Sequence, residues 1–584
     1  MTAVERPQPP AFLETAAVGA LLLAVVATPL AAAQFAGSPY FLLTLKATVS
    51  AILLLPAFAV LILGTPSLGR ARKGDGVVAA WFGIGALATA GAYALAPAAT
   101  RLVEMSTVAA ACFLASRARD RGLVRSIFAG GVLPAAAVVA AYSLLQQFGL
   151  NPLGLVSEGD DQKCATFTNR NLLAGFLAFA VPIGLEACSG TWRVARAWAI
   201  LATTLVVAAL FLSKTRGAWI GAGVATAVWF LVFSKRFPLL AAVALPLGVL
   251  LGMTVAWSAP RWTAEPPAPT RTKSVRERVI LARIAVDMLR DRPLLGWGPG
   301  NFDAESDAYK APYFREEGNR GTRDLPKFAH NDALEMSAEM GVPGLLLWLC
   351  LAGALLRRGW AAGRAHDGPA TAIALGCLAV LLHGLFHFSM HDPVASLLFF
   401  AGLGALAPQA PPSEPIGPWF ARLVKLGVAC AVALALQNQV RVLASRTLFE
   451  RGTFEAARGS IREGLWTLRR ASTLDPAFAQ TFAQRAVVLA KAGAQLDALE
   501  LLDEALSIDP HDEAILVDKG LIHEMRGSVG SAREALRQAI ELNPNLSEAY
   551  RALARVEKAD GHPDREAALL AEAIVIERAR REAQ

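Results

Sequence analysis

The chain has 584 residues, of which 54% are hydrophobic and only 18% are charged, and its formal net charge is +8. A soluble protein of this length carries more charge, so the composition favours an integral membrane protein. The positive charge is spread over short segments between apolar runs, as membrane orientation requires, which argues against nucleic-acid binding. None of the six cysteines forms a C-x-x-C pair, so we interpret them as apolar packing residues.

Thirteen apolar runs are candidates for membrane helices, which need roughly 20 apolar residues to cross the hydrocarbon. They lie at 14–33, 41–64, 77–97, 102–116, 124–147, 172–188, 196–212, 217–233, 238–257, 342–356, 370–387, 393–408 and 418–437. The first run has no strongly basic leader and a second run follows it closely, so we interpret it as a membrane helix and not a cleaved signal. The sequence predicts an all-α polytopic bundle of about 12–13 transmembrane helices.

Basic residues indicate the side of the membrane on which each loop lies. They follow every even-numbered run up to the tenth: Arg70, Arg72, Lys73, Arg117, Arg119, Arg121, Arg125, Arg193, Arg196, Lys235, Arg236, Arg357, Arg358 and Arg364. Because such residues gather in the cytoplasm, we predict a cytoplasmic N-terminus and an outer location for the long segment 258–341. Long segments cross the membrane largely regardless of charge, so the basic residues of this segment are available for a ligand.

The C-terminal part contains a repeat with a period of 34 residues. Asp475-Pro476, Asp509-Pro510 and Asn543-Pro544 recur at that spacing, and small residues recur at matching offsets before them: Gly464 and Ala471, Ala498 and Ala505, Ala532 and Ala539. This pattern is typical of tetratricopeptide repeats, which form an α-solenoid and bind proteins. Thirteen membrane helices after a cytoplasmic N-terminus place the repeats outside the cytoplasmic membrane, whereas an even number would place them in the cytoplasm.

These observations predict four parts of the chain. Residues 1–257 form an N-terminal transmembrane bundle, and 258–341 form a long outer loop with amphipathic helices. Residues 342–437 form the C-terminal transmembrane helices, and 445–580 form the repeat domain.

Two polar clusters adjoin the predicted helices on the outer side. In "TFTNRNLLAG", an asparagine suits a helix cap, but Arg170 opposes the helix dipole, so an anionic partner would explain it better. Lys214 and Arg216 lie in the very short turn "SKTRGAW" and violate the positive-inside tendency. Interfacial snorkelling beside Trp219 is the alternative explanation for this pair.

The long outer segment supplies the third cluster. "SVRERVILARIAVDMLRDRP" predicts an amphipathic helix that ends before Pro293. Its apolar face consists of Val279, Ile280, Ile284, Met288 and Leu289. Its basic residues are Arg276, Arg278, Arg283 and Arg290. The turn "GWGPGNF" is a weak candidate for phosphate binding, because it lacks a Walker lysine and a preceding strand.

The stretch "KFAHNDALEMSAEMG" closes that segment and precedes a membrane run. His330 is a candidate base, since histidine titrates near neutrality, and a capping or core histidine is the alternative. Asn331 suits an orienting or capping role. Glu335 and Glu339 share one helical face, so we interpret them as a structural or solvated pair, and the role of Asp332 is left open.

Together, four motifs in order resemble the O-antigen ligase and polymerase superfamily of bacterial membrane proteins. They are "TFTNRNLLAG", "SKTRGAW", the segment from Arg278 to "PLLGWGPGNF", and "HNDALEMSAEMGVPGLLLWL". A weaker fifth match is "LLHGLFHFSMHDPVASLLFF". The resemblance covers roughly residues 160–405 and implies a bundle of the GT-C-like type, and some members carry tetratricopeptide tails.

The resemblance implies a metal-independent, inverting glycan transfer from undecaprenyl diphosphate at the outer face of the inner membrane. It implies that His330 activates the acceptor hydroxyl and that Arg216 and Arg278 bind the lipid diphosphate. Two residues depart from the family pattern: Arg170 and His387 stand where related chains often carry proline and an acidic residue. The first could add diphosphate binding, beside Lys214.

The residues themselves are compatible with that chemistry. Arginine forks suit phosphate oxygens at any working pH, and no D-x-D motif or His/Asp cluster indicates a divalent metal. We expect no cofactor, and we expect Asn171 and Asn331 to orient the site. The acceptor stays open between lipid A core, a growing glycan and a protein, that is, between a ligase, a Wzy-type polymerase and a protein O-oligosaccharyltransferase. A transporter of the lipid-linked glycan, or an envelope scaffold without activity, is the further alternative.

Overall fold

The computed structural model describes residues 11–31, 39–64, 75–117, 121–153, 164–167, 169–189, 193–233, 239–258, 271–322, 325–408 and 418–582. Within those ranges the regular structure consists of 22 α-helices, one π-helical turn (Trp229–Phe233) and one 3-10 turn (Glu317–Asn319). The predicted all-α architecture is confirmed.

Thirteen helices of the described ranges coincide with the thirteen predicted apolar runs. They are α1 (Ala11–Leu30), α2 (Pro39–Gly64), α3 (Asp75–Ala90), α4 (Leu95–Arg117), α5 (Arg121–Gln147), α6 (Arg170–Ala187), α7 (Arg193–Leu212), α8 (Arg216–Val228), α9 (Leu239–Ser258), α12 (Asp332–Arg364), α13 (Gly368–His383), α14 (Pro393–Ala405) and α15 (Pro418–Ala457). Among the described residues, seven helices are long and apolar enough to cross a membrane, and five further apolar helices are shorter.

The boundary between the third and fourth runs differs from the prediction. The sequence placed the third run across 91–97, but α3 ends at Ala90 and α4 begins at Leu95. Pro97 lies in the first turn of α4, where its missing N–H removes no intrahelical hydrogen bond, so it begins a helix here instead of continuing one.

The arginines of the short loops lie at one end of the bundle. The Arg125 side chain forms an ion pair with Asp367, which joins the start of α5 to the start of α13. The carboxylate of Glu186, near the end of α6, lies against Gly368 at the same place. Of the basic residues used for the topology, Arg70, Arg72, Lys73, Arg119, Lys235 and Arg236 lie outside the described residues.

Two further helices, α10 (Arg271–Asp291) and α11 (Phe302–Phe314), form the segment before α12. The buried face of α10 consists of Ile280, Leu281, Ile284, Ala285 and Met288. Val279, which the sequence assigned to this face, is instead 52% exposed. The reason is helical geometry, because Val279 lies one turn from Arg283 on the solvent side.

Helix α12 consists of two helical parts that meet at Gly341. This glycine has φ 68° and ψ −164°, far from helical values. The Val342 N–H leaves the helical ladder and donates to the Pro293 carbonyl at 2.8 Å. The first part, up to Met340, falls in the segment 258–341, and the second part contains the apolar run 342–356.

Replacing Gly341 with alanine should lower the free energy of unfolding by at least about 1–3 kcal/mol, because only glycine adopts these dihedral angles without strain. An added Cβ would also lie 2.5 Å from the Pro293 carbonyl oxygen. Thermal unfolding in detergent measures the loss. Gly353→Ala, in the same helix, is the matched control. A Cβ added at Gly353 would have no neighbour within 4 Å, and alanine is favoured over glycine inside a helix by about 0.5–1 kcal/mol. Equal melting temperatures for the two variants would contradict the interpretation.

Helix α15 is 40 residues long and runs from the membrane bundle into the repeats. Its first part packs on α2, and its last turns pair with α16 (Ile461–Leu474). Three helical hairpins follow: α17 and α18 (Ala479–Lys491, Gln495–Ile508), α19 and α20 (Glu513–Met525, Val529–Leu542), α21 and α22 (Ser547–Ala559, Pro563–Glu582). The small residues expected at the helix contacts are buried; Ala498 and Ala532, for example, are 0% exposed. The predicted repeat architecture is confirmed.

The repeats dock on the segment that precedes α12. Lys310 of α11 forms an ion pair with Glu513 at 2.5 Å. The Asn545 side-chain amide donates to the carbonyls of Asn319 and Thr322, at 3.1 and 3.0 Å. Arg320 pairs with Glu572 of the last helix. The repeats therefore lie at the same end of the bundle as the segment 271–331.

Candidate active site

The motifs that the sequence singled out meet at the end of the bundle opposite the Arg125–Asp367 pair. This end contains the starts of α6, α8 and α12, the end of α13, and helix α10. We call the group formed by Asn171, Arg216, Arg278, His330, His383 and His387 the His330 cluster. Successive helices alternate in direction, so residues that are more than 200 positions apart in the chain are brought to one end.

Asn171 links three helices of the cluster. Its side-chain Oδ1 accepts a hydrogen bond from the Thr215 hydroxyl at 3.1 Å, just before α8. Its backbone carbonyl lies 3.2 Å from His383 Nε2, at the end of α13. Asn169 caps α6, because its Oδ1 accepts from the Asn171 N–H at 2.7 Å. Asn171 thereby sets the position of the Arg216 turn relative to the histidines.

Three histidines stand side by side behind this junction. The ring centroids of His330 and His387 are 5.6 Å apart, and those of His383 and His387 are 5.0 Å apart. Among the described residues, the Nδ1 atoms of all three rings and Nε2 of His387 are buried without a hydrogen-bond partner. Buried unsatisfied nitrogens are rare, and a group of them is typical of a site that performs chemistry.

The His330 ring is neutral under ordinary conditions. Burial, and secondly the positive charge of Arg278, lower the pKa of His330 to about 4. Because its Nδ1 is buried, Nε2 is the ring nitrogen that can meet an acceptor group. A neutral imidazole nitrogen can accept a proton, as a general base must.

Arg216 and Arg278 bring positive charge to the same place. Arg278, on α10, is half-buried, and its pKa is lowered by burial and then by the charge of Arg216. Arg216, the first residue of α8, is exposed, and within the described ranges its side chain has no hydrogen bond or ion pair. Two mutually repelling arginines beside neutral histidines form a site suited to a doubly charged anion.

Lys214 and Arg170 lie at the edges of the same site. Lys214 is exposed and precedes Arg216 by two residues, and Arg170 is half-buried as the first residue of α6. Diphosphate binding by these two residues stays a prediction.

Left-handed backbone conformations mark three of the motifs. Ala165, Lys214 and His330 have φ values of 53°, 54° and 52°. Each of the three lies in or directly before a motif that contributes to the His330 cluster. Among the described residues, one further non-glycine residue has a positive φ, His366, and it lies at the opposite end of the bundle. Non-glycine residues adopt this conformation at an energetic cost, so their concentration here supports a functional site.

Asn331 caps α12 and joins it to the segment after α13. Its Oδ1 accepts from the N–H groups of Ala333 and Leu334, at 3.0 and 3.1 Å. Its Nδ2 donates to the Leu385 carbonyl at 3.2 Å. These contacts use the side-chain oxygen and one N–H of the amide, and they hold the start of α12 against the segment after α13. An orienting role for Asn331 stays a prediction.

The acidic residues that follow are not solvated. Glu335 and Glu339 are 0% and 2% exposed, so the solvated interpretation of this pair is wrong. They are buried because the kink at Gly341 directs the first part of α12 against the segment 384–391, from which His391 contacts both carboxylates. Asp332 is buried too, and its Oδ1 accepts from the Met390 N–H.

The glycine-rich turn supports α12 and does not present a free nest of amides. The Trp297 and Gly298 N–H groups donate to the carbonyls of Ala338 and Glu339, at 3.1 and 2.9 Å. Gly296 has φ 64°, and a Cβ there would meet the Glu339 backbone. Phosphate binding by these amides is therefore excluded by their use in the fold.

Two families match parts of the chain. Residues 200–349 match the O-antigen ligase family model. Residues 489–556 match a tetratricopeptide repeat model. These matches confirm the resemblance that the motifs indicated: one region is similar to O-antigen ligases and another to tetratricopeptide repeats. Comparison with curated proteins gives no match.

Solved structures of MamA proteins are among those similar to part of this chain. A crystal structure of MamA has 16% identity and a TM-score of 0.23, and the match covers 29% of this chain and 99% of that one. MamA 41-end from Desulfovibrio magneticus RS-1 has 18% identity and a TM-score of 0.22, with 27% and 90% covered. Similarity at this level carries no argument about function.

The O-antigen ligase region contains only part of the His330 cluster. Arg216, Arg278 and His330 fall within residues 200–349, whereas Asn171 precedes that range and His383 and His387 follow it. Sequence reasoning named His387 only as a departure and missed His383. A signal was present, since His383, His387 and His391 recur every four residues.

Proposed function

We propose that this membrane protein transfers a saccharide from undecaprenyl diphosphate to an acceptor hydroxyl, as a ligase of surface polysaccharide or glycoconjugate synthesis. The O-antigen ligase match supports a ligase- or polymerase-type enzyme of glycan biosynthesis with a lipid-linked donor. The observation that carries the finer proposal is that Arg216 and Arg278 act electrostatically on the same small site as His330.

In the proposed reaction, His330 Nε2 takes the proton of the acceptor hydroxyl while the hydroxyl oxygen attacks the anomeric carbon. The bond from that carbon to the phosphate oxygen breaks, and the diphosphate leaves with the electron pair. Attack on the face opposite the leaving group inverts the anomeric centre. The proton on His330 then passes to water.

The arginines replace a metal ion in this proposal. Arg216 and Arg278 neutralise the charge that develops on the diphosphate, so the leaving group needs no proton. Lys214 and Arg170 would hold its outer oxygens. Asn331 and Asn171 position the base and the Arg216 turn through the hydrogen bonds described above.

We further propose that the site faces the outer side of the inner membrane. The arginines at the opposite end of the bundle, such as Arg125 and Arg358, then face the cytoplasm, as the positive-inside tendency requires. The repeats would lie outside with the site, where their docking on α11 suits a protein partner or the presentation of an acceptor.

Glycan analysis of a deletion strain tests the function and separates ligase from polymerase. Accumulation of lipid-linked polymer indicates a ligase, and loss of polymer with single units still attached indicates a polymerase. A modified protein that loses its glycan indicates protein O-oligosaccharyl transfer. Normal surface glycan in strains that carry well-expressed His330 and Arg216 variants would refute the transferase and leave transport or scaffolding.

A further inference from the structure

A second group of chemically active side chains lies behind the His330 cluster and has no part in the proposed transfer. It consists of Glu335 and Glu339 in the first part of α12 and His391 in the turn before α14. Both glutamates are buried, and the His391 side chain is 9% exposed. We call these three residues the Glu335 triad.

The ligand atoms of the triad are spaced as the ligands of one metal ion would be. His391 Nε2 lies 3.3 Å from Glu335 Oε1 and 3.6 Å from Glu339 Oε2. Nitrogen and oxygen ligands bind zinc at about 2.0–2.2 Å, and a tetrahedron of that size has edges of about 3.3–3.6 Å. These two distances match a single ion at normal bond lengths, and all three ligand atoms lie within 4.8 Å of one another.

In each carboxylate, one oxygen accepts a hydrogen bond from a backbone N–H, and the other oxygen lies near His391 Nε2. Glu335 Oε2 accepts from the Ala329 N–H at 3.1 Å, and Glu339 Oε1 accepts from the Phe302 N–H at 3.4 Å. Hydrogen bonds of this kind orient the ligating carboxylates of metal sites. Glu335 Oε1 is buried and, among the described residues, has no hydrogen-bond partner despite its closeness to His391.

Arg101, whose charge acts on Glu335 and His391, does not neutralise the two carboxylates by direct contact. Arg101 pairs with Glu104 at 2.8 Å and donates to the Met390 carbonyl at 2.7 Å. Two buried carboxylates that share one imidazole form an unfavourable arrangement unless a cation or a proton joins them. The geometry above favours the cation.

We propose that Glu335, Glu339 and His391 bind one divalent transition-metal ion of the Zn²⁺ or Mn²⁺ class, with the fourth position taken by water. One imidazole nitrogen with two carboxylate oxygens suits these ions. The ion joins the start of α12 to the turn before α14. Because Glu335 also holds the Ala329 N–H, this link fixes the segment that carries His330. It does not contact the substrate, so the metal-independent transfer step is unchanged.

The chain offers a matched control in the repeats. Glu557, Asp560 and His562 also lie close enough to share an ion. There, however, Arg533 binds both carboxylates, at 2.7 Å for Glu557, and Arg565 binds Glu557 at 3.4 Å. Those charges are already neutralised by arginine, so we expect no metal ion at this second group.

Metal analysis of the purified full-length protein tests the proposal without reference to activity. The protein is stripped with chelator, incubated with Zn²⁺ or Mn²⁺ and desalted. Metal content by mass spectrometry should be close to one ion per chain for the wild type and for His562→Gln. In His391→Gln and Glu339→Gln, affinity should fall by more than about 100-fold, beyond the usual effect of an indirect contact.

Two measurements on the wild type keep the test decisive if a variant fails to fold. Chelation should lower the melting temperature, and Zn²⁺ but not Mg²⁺ should restore it; Co²⁺ should give the visible absorption of a tetrahedral site. Absence of binding at millimolar Zn²⁺ and Mn²⁺, or equal binding by the wild type and His391→Gln, would overturn the proposal. The triad would then be a proton-sharing group.

Discussion

Replacing His330 with asparagine is expected to lower the rate of glycan transfer by about 10²–10⁴-fold, the usual contribution of a general base. Asparagine tolerates the left-handed backbone that His330 adopts at φ 52°, but it cannot take the proton from the acceptor. The measurement is transfer by the reconstituted protein from a lipid-diphosphate donor. Donor affinity should change little, because Arg216 and Arg278 are retained.

His366→Asn is the matched control for this variant. His366 has nearly the same backbone conformation, with φ 54°, but lies at the opposite end of the bundle. If the left-handed conformation alone mattered, both variants would lose stability and activity to a similar extent. A His330→Asn protein that melts like the wild type and still transfers glycan at more than a tenth of its rate would exclude the base.

The pH dependence of the same reaction tests the protonation state of His330. Burial and Arg278 lower its pKa to about 4 in the free protein. The base is then unprotonated above that pH, so kcat/KM should stay level down to about pH 5, where a free imidazole with a pKa near 6.5 is mostly protonated. Bound diphosphate favours the imidazolium, so kcat should decline at a higher pH than kcat/KM. A fall of kcat/KM with a midpoint near pH 6.5 would contradict the burial of this ring.

Replacing Arg216 or Arg278 with alanine should each reduce transfer by about 10²–10³-fold, the usual loss when one group that stabilises developing charge is removed. Burial, and secondly the charge of Arg216, lower the pKa of Arg278, so the site without a ligand is electrostatically unfavourable. The diphosphate relieves this repulsion. The double variant should therefore lose less than the product of the two single effects.

Two comparisons separate this role from a general effect of charge. Arg276→Ala removes an exposed arginine from the same helix and should leave transfer within about threefold of the wild type, as expected for a solvated residue. Arg278→Lys retains the charge without the planar fork and should recover only part of the activity. Equal activity of the Arg276 and Arg278 variants would disprove diphosphate binding by Arg278.

Local patterns in the sequence were sufficient for most of the secondary structure. Every apolar run of the prediction coincides with a helix, because a helix that contacts lipid or a buried core must be apolar over most of its length. The 34-residue spacing of Asp475, Asp509 and Asn543 likewise predicted helical hairpins. The boundary near Pro97 was misplaced, since hydropathy alone does not distinguish a short turn between two apolar helices.

The candidate site was only partly accessible to the same reasoning. Arg216, Arg278 and His330 were named from charge and motif order, because charged residues beside membrane helices are costly and stand out. His383 was missed because it ends an apolar helix and resembles a packing residue. For Glu335 and Glu339 the sequence left a structural and a solvated role open, because their burial depends on the segment 384–391, some fifty residues further along the chain.

The sequence by itself determined the helical class, the apolar lengths, the repeat period and the identity of the charged residues, since each is a property of neighbouring positions. Only the tertiary structure decided which of them meet. Asn171 approaches His383 across 212 positions, and Lys310 approaches Glu513 across 203. Such contacts depend on how helices pack and where Gly341 turns the chain, and no periodicity in the sequence carries that information.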